Sequence, residues 1–156
     1  PDRHRGLMAG QQPFHVRDAD YATDVADLRA VRDPVFVVEQ RVPVELERDA
    51  LDAECTHVLA FDAQNRPIGT GRLTPQHSIG RMAVLAEWRG NGVGDALLKR
   101  LIALAKAKNW PDVSLHAQVS AIDFYLKHRF ATYGPVYEEA GIMHQSMRLD
   151  LTDSGN

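Results

Sequence analysis

Arg81-Met82-Ala83-Val84-Leu85, then Arg89-Gly90-Asn91-Gly92-Val93-Gly94, then Asp95 to Lys108: an apolar strand-like run, a glycine-rich turn and an uninterrupted helical run follow one another in this chain. A turn of that kind leaves several backbone N–H groups pointing at one place, and the helix dipole adds partial positive charge there. It is a ready anion site, with phosphate the usual anion. The spacing excludes two phosphate motifs. The dinucleotide fingerprint would put its last glycine at Leu97, counted from Gly92, or at Asp95, counted from Gly90. The P-loop ends in Gly-Lys-Ser/Thr, whereas Gly94 is followed by Asp95-Ala96. Arg-x-x-Gly-x-Gly is what remains. A tight strand-to-helix turn with no ligand is the competing reading.

Outward from that loop, the 156 residues are expected to form one domain, with 44% hydrophobic and 25% charged residues, ordinary for a globular chain. The net charge of −3 supplies no bulk basic field for nucleic acid or anionic membrane. Cys55 is the single cysteine, so no intramolecular disulfide forms, which fits a reducing compartment and a cytoplasmic location. No apolar run approaches the length of a membrane span or signal peptide. Residues 1–12 are polar and aperiodic and are expected to be a flexible arm, 13–151 the domain, and 152–156 a polar tail.

Phe14 to Arg17 alternates as a first strand, and Val25, Leu28 and Val31 recur at helical spacing. Asp33-Pro34 interrupts that pattern and starts a second helix, Val35 to Gln40, which Pro43 ends. Residues 45–54 are acidic and read either as a solvated loop or as a wall that attracts a cationic amine. Thr56–Phe61 and Ile68–Leu73 form a hairpin around Asp62 to Pro67, and Ile79–Leu85 leads into the glycine loop. The long helix from about Gly92 to Lys108 has the wide apolar face of a helix packed on a sheet. Val113–Gln118, a helix from Ala121 to about His128, Ala131–Tyr137 and Met143–Leu149 complete the chain. The order β-αα-β-β-β-α-β-α-β-β predicts an α/β (α+β) fold on a mixed sheet.

That order, with the Arg89–Gly94 loop, resembles the GNAT acetyltransferases, whose loop of this form holds the pyrophosphate of acetyl-CoA. A second motif agrees: Ala121-Ile122-Asp123-Phe124-Tyr125-Leu126-Lys127-His128-Arg129-Phe130 is similar to the family's A-I-x-F-Y-x-K-x-G-F. The ElaA-like branch is resembled by Val35-Phe36-Val37-Val38-Glu39-Gln40-Arg41-Val42-Pro43 and Gly80-Arg81-Met82-Ala83-Val84. Leu115-His116-Ala117-Gln118 and Glu139-Ala140-Gly141-Ile142-Met143-His144 are similar to that branch too. Two positions depart. Arg129 replaces the usual glycine, which strains the chain if φ is positive there, and Gln118 stands where asparagine is common.

The resemblance implies a mostly antiparallel sheet of about seven strands flanked by about four helices. It implies splayed fourth and fifth strands with acetyl-CoA between them. Backbone of Met82, Ala83 and Val84 would pair with the pantetheine arm. The loop Gly90, Asn91, Gly92, Val93 and Gly94 would hold the pyrophosphate, with Arg89 adding charge and Gln118 also on the cofactor side. A neutral primary amine would attack the thioester directly, with Val84 N–H facing the oxyanion. Tyr125, an ordinary phenol protonated at neutral pH, would give the leaving thiolate its proton. Glu39 and His144 rank above His116 as general base, and a bound water could serve instead. Asp49, Asp52, His116 and Glu139 are the expected acceptor-side residues, the acidic ones favouring a cationic amine. The histidines lack metal-ligand spacing, so no metal is expected. A homodimer is common in the family. Two other classes remain open: a non-catalytic acyl-CoA-binding or regulatory module, and a phosphoanion-binding domain for nucleotides.

Overall fold

The structure is a computed structural model and describes residues 12–152. The expected N-terminal arm up to residue 11 and the tail from 153 lie outside the described residues. The strands are β1 (Phe14–Ala19), β2 (Thr56–Asp62), β3 (Pro67–Leu73), β4 (Ser78–Val84), β5 (Asp112–Gln118), β6 (Ala131–Glu139) and β7 (Ile142–Asp150). The α-helices are α1 (Tyr21–Arg32), α2 (Val44–Glu47), α3 (Val93–Ala107) and α4 (Ile122–Lys127). The seven strands form one sheet in the order β1-β2-β3-β4-β5-β7-β6.

Every neighbouring pair is antiparallel except β4–β5. That parallel pair is joined only at Ser78↔Ser114 and Ile79↔Leu115. Beyond Ile79 the two strands diverge, as the resemblance implied, and the sheet opens into a cleft. α3 lies across the sheet with Val93, Leu97, Leu98 and Leu101 buried against β3 and its neighbours. The glycines of β3 make this close approach fit. A Cβ on Gly69 would stand 2.8 Å from Val93 Cγ1, and one on Gly71 would stand 2.9 Å from Leu101 Cδ1.

Two sequence expectations are corrected. Asp33-Pro34 does not divide two helices: α1 runs directly into a π-helical stretch, Asp33–Glu39. Pro34 has no N–H for the i→i−4 ladder, and the turns beyond it close one residue wider, as in Gln40 N–H to Val35 O at 3.0 Å. Nor is 45–54 a solvated acidic loop. It contains α2 and a 3₁₀ turn, Asp52–Glu54, and buries Glu47 and Asp52. Arg32 bonds both of them, its Nη1 and Nη2 reaching Asp52 at 2.9 and 3.1 Å. Arg72 bonds Asp49 and Asp52, and Arg48 bonds Asp33 and Glu47. Glu47, Asp49 and Asp52 are thus engaged by arginines, since a buried charge needs partners, while Glu45 and Glu54 stay exposed.

β4 carries a bulge. Between the pairs Thr70↔Ala83 and Arg72↔Gly80, β3 advances two residues and β4 three, so Arg81 and Met82 share one partner, Gly71. Arg81 sits there at φ 50°, in the left-handed region that side chains seldom occupy.

Candidate functional site

The cleft between β4 and β5 has two arms that meet at Gln40, Met82, Ala121 and Tyr125. One arm runs to the glycine loop. Gly90 and Gly92 both have φ 83°, so only glycine turns the chain there without strain. Gly92 caps α3, whose first intrahelical bond runs from Ala96 N–H to Gly92 O at 3.1 Å. The N–H groups of Val93, Gly94 and Asp95 precede that bond and have no intrahelical acceptor. Val93, Gly94 and Asp95 line this arm beside Arg89 and Lys127. Asn91 lies in the loop but turns its side-chain amide to Trp88 O, at 3.2 Å.

The edge of β4 faces the same arm. Leu85 N–H donates to Ile68 O on β3 at 2.9 Å. Backbone groups alternate along a strand, so Val84 N–H points away from β3 into the opening. Ala83 does the reverse: its carbonyl faces Gly69 and its side chain is buried with Val31 and Val35. Of the three residues expected to pair with pantetheine, Val84 offers its N–H to the opening, while its carbonyl accepts from Arg89 Nε at 3.1 Å.

α4 brings Tyr125 to the junction. The helix follows a 3₁₀ turn, Val119–Ala121, and ends in a Schellman motif. Phe130 N–H donates to Tyr125 O at 3.2 Å and Arg129 N–H to Leu126 O at 3.0 Å. Arg129 takes the left-handed position of that motif, φ 73°, where the family has glycine. The Phe130 ring packs against Tyr125 with centroids 5.9 Å apart, and Phe124 packs on Gly94. His128 Nε2 lies 2.7 Å from Asp95, fastening α4 to the first turn of α3. Tyr125 is nearly buried, and burial alone pushes its phenol up to about 12. It stays a proton donor at any physiological pH.

The other arm is a cavity of about 570 Å³ lined by residues of both halves of the sheet. Gln118 and His144, paired across β5 and β7, both line it, as do His116 and Glu139. His144 Nδ1 bonds Ile142 O at 2.8 Å. A carbonyl only accepts, so in the neutral ring Nδ1 carries the proton and Nε2 is the acceptor. The ring stacks on Tyr137, centroids 5.8 Å apart. His116 differs: its Nδ1 bonds the hydroxyls of Tyr137 and Ser146, which can donate or accept, so nothing fixes its tautomer.

Other expected residues take different places. Glu39 is paired with Arg89 through two bonds, 2.8 and 2.7 Å. That pair holds the Glu39 carboxyl below the usual range, which weakens it as a base. Asp49 and Asp52 are not on the cavity wall; their ion pairs with Arg32, Arg72 and Arg81 hold them behind it. Of the acidic residues read from 45–54, only Glu47 lines the cavity, and it is paired with Arg32 and Arg48. Three residues of the cleft were missed. Lys127 stands three residues after Phe124, one helical turn along the same face, and that spacing was the available signal. Gln40 lies in the Val35–Pro43 stretch without having been read as a site residue, and its Oε1 accepts from Gln118 Nε2 at 2.9 Å across the cleft. Arg81 reaches the cavity because of the bulge.

Comparison with known proteins agrees with this geometry. The family profile described as an acetyltransferase (GNAT) domain matches residues 21–151. The chain belongs to the GNAT acetyltransferase family. It is 36% identical to YjcF of Bacillus subtilis, an uncharacterized N-acetyltransferase, over 77% of this chain and 88% of YjcF. It is 32% identical to Escherichia coli ElaA over 80% of this chain and 86% of ElaA. The crystal structure of E. coli ElaA superimposes with a TM-score of 0.76 and 27% identity, covering 86% of this chain and 98% of that one. An acyl-CoA N-acyltransferase from Pseudomonas aeruginosa gives 0.75 and 28%, over 86% and 98%. The GNAT fold and its ElaA-like character are therefore established. Among the described residues no cluster of three metal-ligating side chains occurs, and no helix is long and apolar enough to cross a membrane.

Proposed function

We propose that this GNAT chain transfers the acetyl group of acetyl-CoA to a primary amine by direct attack on the thioester. The observation that carries the reading is the position of Tyr125, at the junction of the anion-binding arm and the acceptor cavity. The residues present fit the cosubstrate: α3 has unpaired N–H groups for a pyrophosphate, and β4 has an unpaired edge for an amide-bearing arm. Acetyl-CoA supplies the activated acyl group and a thiol leaving group. Val84 N–H faces the carbonyl oxygen as it becomes negative. His144 Nε2 takes the proton of the amine, and Tyr125 gives its proton to the departing sulfur. The N–C bond forms as the C–S bond breaks, and one proton is taken up for each released.

Calorimetric titration with acetyl-CoA, with ADP as control, tests the binding half. Tight acetyl-CoA and weak ADP binding is the expected result. Absence of binding at millimolar acetyl-CoA would sink the proposal. Tyr125→Phe tests the chemistry: turnover should fall roughly 100-fold or more, with affinity for acetyl-CoA retained. Unchanged turnover would remove Tyr125 from its role.

A further inference from the structure

Among the described residues, two buried side-chain polar atoms lack a hydrogen-bond partner: Nε of Arg72 and Nε of Arg81. Both arginines line the acceptor cavity. An orphaned buried donor is costly, and such groups concentrate where something else completes them. Glu47 Oε2 stands 3.6 Å from Arg81 Nε, an ion pair too long for a hydrogen bond, and the other acids are spent elsewhere. Arg72 spends Nη1 and Nη2 on Asp49 and Asp52, and Asp52 is shared with Arg32. Arg81 Nη2 donates to Leu46 O, Glu47 O and Asp49, while Nη1 has no partner among the described residues. The Arg81 side chain keeps 25% of its surface, whereas that of Arg72 keeps 6%.

Four arginines, Arg32, Arg48, Arg72 and Arg81, meet four carboxylates, Asp33, Glu47, Asp49 and Asp52. Arg32, Arg48 and Arg72 are stabilised as cations by their acids. Arg81 alone is pushed down, by burial and by the neighbouring Arg72. Arg81 is also the one of the four whose Nη1 has no partner among the described residues. That residue also holds a left-handed backbone at the bulge, strain of the kind kept at functional positions. Around it the wall carries apolar Phe36, Val42, Ile79 and Leu115, the Ser78 and Thr74 hydroxyls, and the carboxylates of Glu47 and Glu139.

We infer that the amine acceptor carries a carboxylate, which Arg81 binds in the cavity that His144 also lines, so that the substrate is an amino acid or a peptide with a free C-terminus rather than a polyamine. A carboxylate would accept from Arg81 Nη1, which has no partner among the described residues. The inference rests on the acetyltransferase reading and deepens it.

The test uses matched acceptors: amino acids with the amine α, γ or ε to the carboxylate, and dipeptides, each beside its amide, with spermidine as the cationic comparator. Binding to the CoA-loaded protein is titrated alongside turnover. For at least one pair the acid should bind at least about 10-fold more tightly than its amide, a difference worth one charge-assisted bond. Arg81→Gln should erase that preference and Arg81→Lys should restore part of it, both with unchanged acetyl-CoA affinity. Equal binding of acids and amides, a preference for spermidine, or a preference that survives Arg81→Gln would overturn the inference. A variant that no longer binds acetyl-CoA is misfolded, and the wild-type comparison of acids with amides then decides alone. Failure of wild-type acetyl-CoA binding counts against the acetyltransferase reading itself, and is seen separately.

Discussion

Arg129 and Tyr125 stand four residues apart and illustrate opposite uses of an unfavourable environment. Arg129 carries strain with no compensating contact among the described residues: its φ of 73° serves only to close the Schellman motif behind α4. Arg129→Gly should raise stability by about 1 kcal/mol, the cost of holding a side chain in the left-handed region less the entropy of glycine. Thermal melting reads this directly, and a lower melting temperature would contradict it. Tyr125 is desolvated, and its neutral form is favoured. Unfolding returns its phenol from about 12 to the ordinary 10. Its contribution is therefore complete below pH 10 and is lost as the pH rises from 10 to 12, where the unfolded chain ionises first. The loss amounts to about 3 kcal/mol. Wild-type urea stability should fall more steeply than that of Tyr125→Phe across this window, and parallel curves would refute the assignment.

At the scale of elements, the seat of α3 on β3 depends on two glycines. A Cβ on Gly71 would meet Met82 Sδ at 2.6 Å and Leu101 Cδ1 at 2.9 Å. Met82 can move, but Leu101 is fully buried. Gly71→Ala should cost about 1–3 kcal/mol by overpacking, read as a lower urea midpoint with an unchanged slope. The same contact fixes the height of the α3 N-terminus above the cleft, so the site inherits this packing. The placement of Gly69 and Gly71 on one alternate set was visible in the sequence. Which helix covers that face was not, because the pattern of β3 does not name its neighbour. The π-helical stretch was equally hidden. Pro34 announces a break, but whether the chain turns away or widens its turns depends on the burial of Val35 and the seat offered by Ala83.

Across the whole molecule, the Arg32–Glu47–Asp52–Arg72 cluster joins α1, α2 and the 3₁₀ turn to β3, and Arg81 adds β4. Residues distant in sequence meet there, so removing one partner exposes the others. Asp52→Asn should destabilise by roughly 3–5 kcal/mol, because Arg32 and Arg72 would be left with buried, uncompensated charge. Asp49 is held down to about 2 by Arg72, and Asp52 is also lowered against its burial. Their stabilisation is present above the ordinary carboxylate value and is lost as the pH falls through that value toward about 2. The wild type should therefore lose stability steeply in that range, and Asp52→Asn less so. Identical acid profiles would show that the network contributes nothing.

Much of this protein was determined by local signals. Glycine spacing, a capped helix and a strand period each act over a few residues, so the Arg89–Gly94 loop, the α4 motif and the order of elements could be read directly from the chain. The tertiary structure decided what those signals leave open. The divergence of β4 from β5 depends on two registered pairs between strands separated by a helix. The fate of the acidic stretch at 45–54 depended on arginines from α1, β3 and β4, which turned an apparent anionic wall into a neutral buried network with Arg81 at its edge. A charge has no fixed meaning in a sequence, because its neighbours in space set both its solvation and its partners.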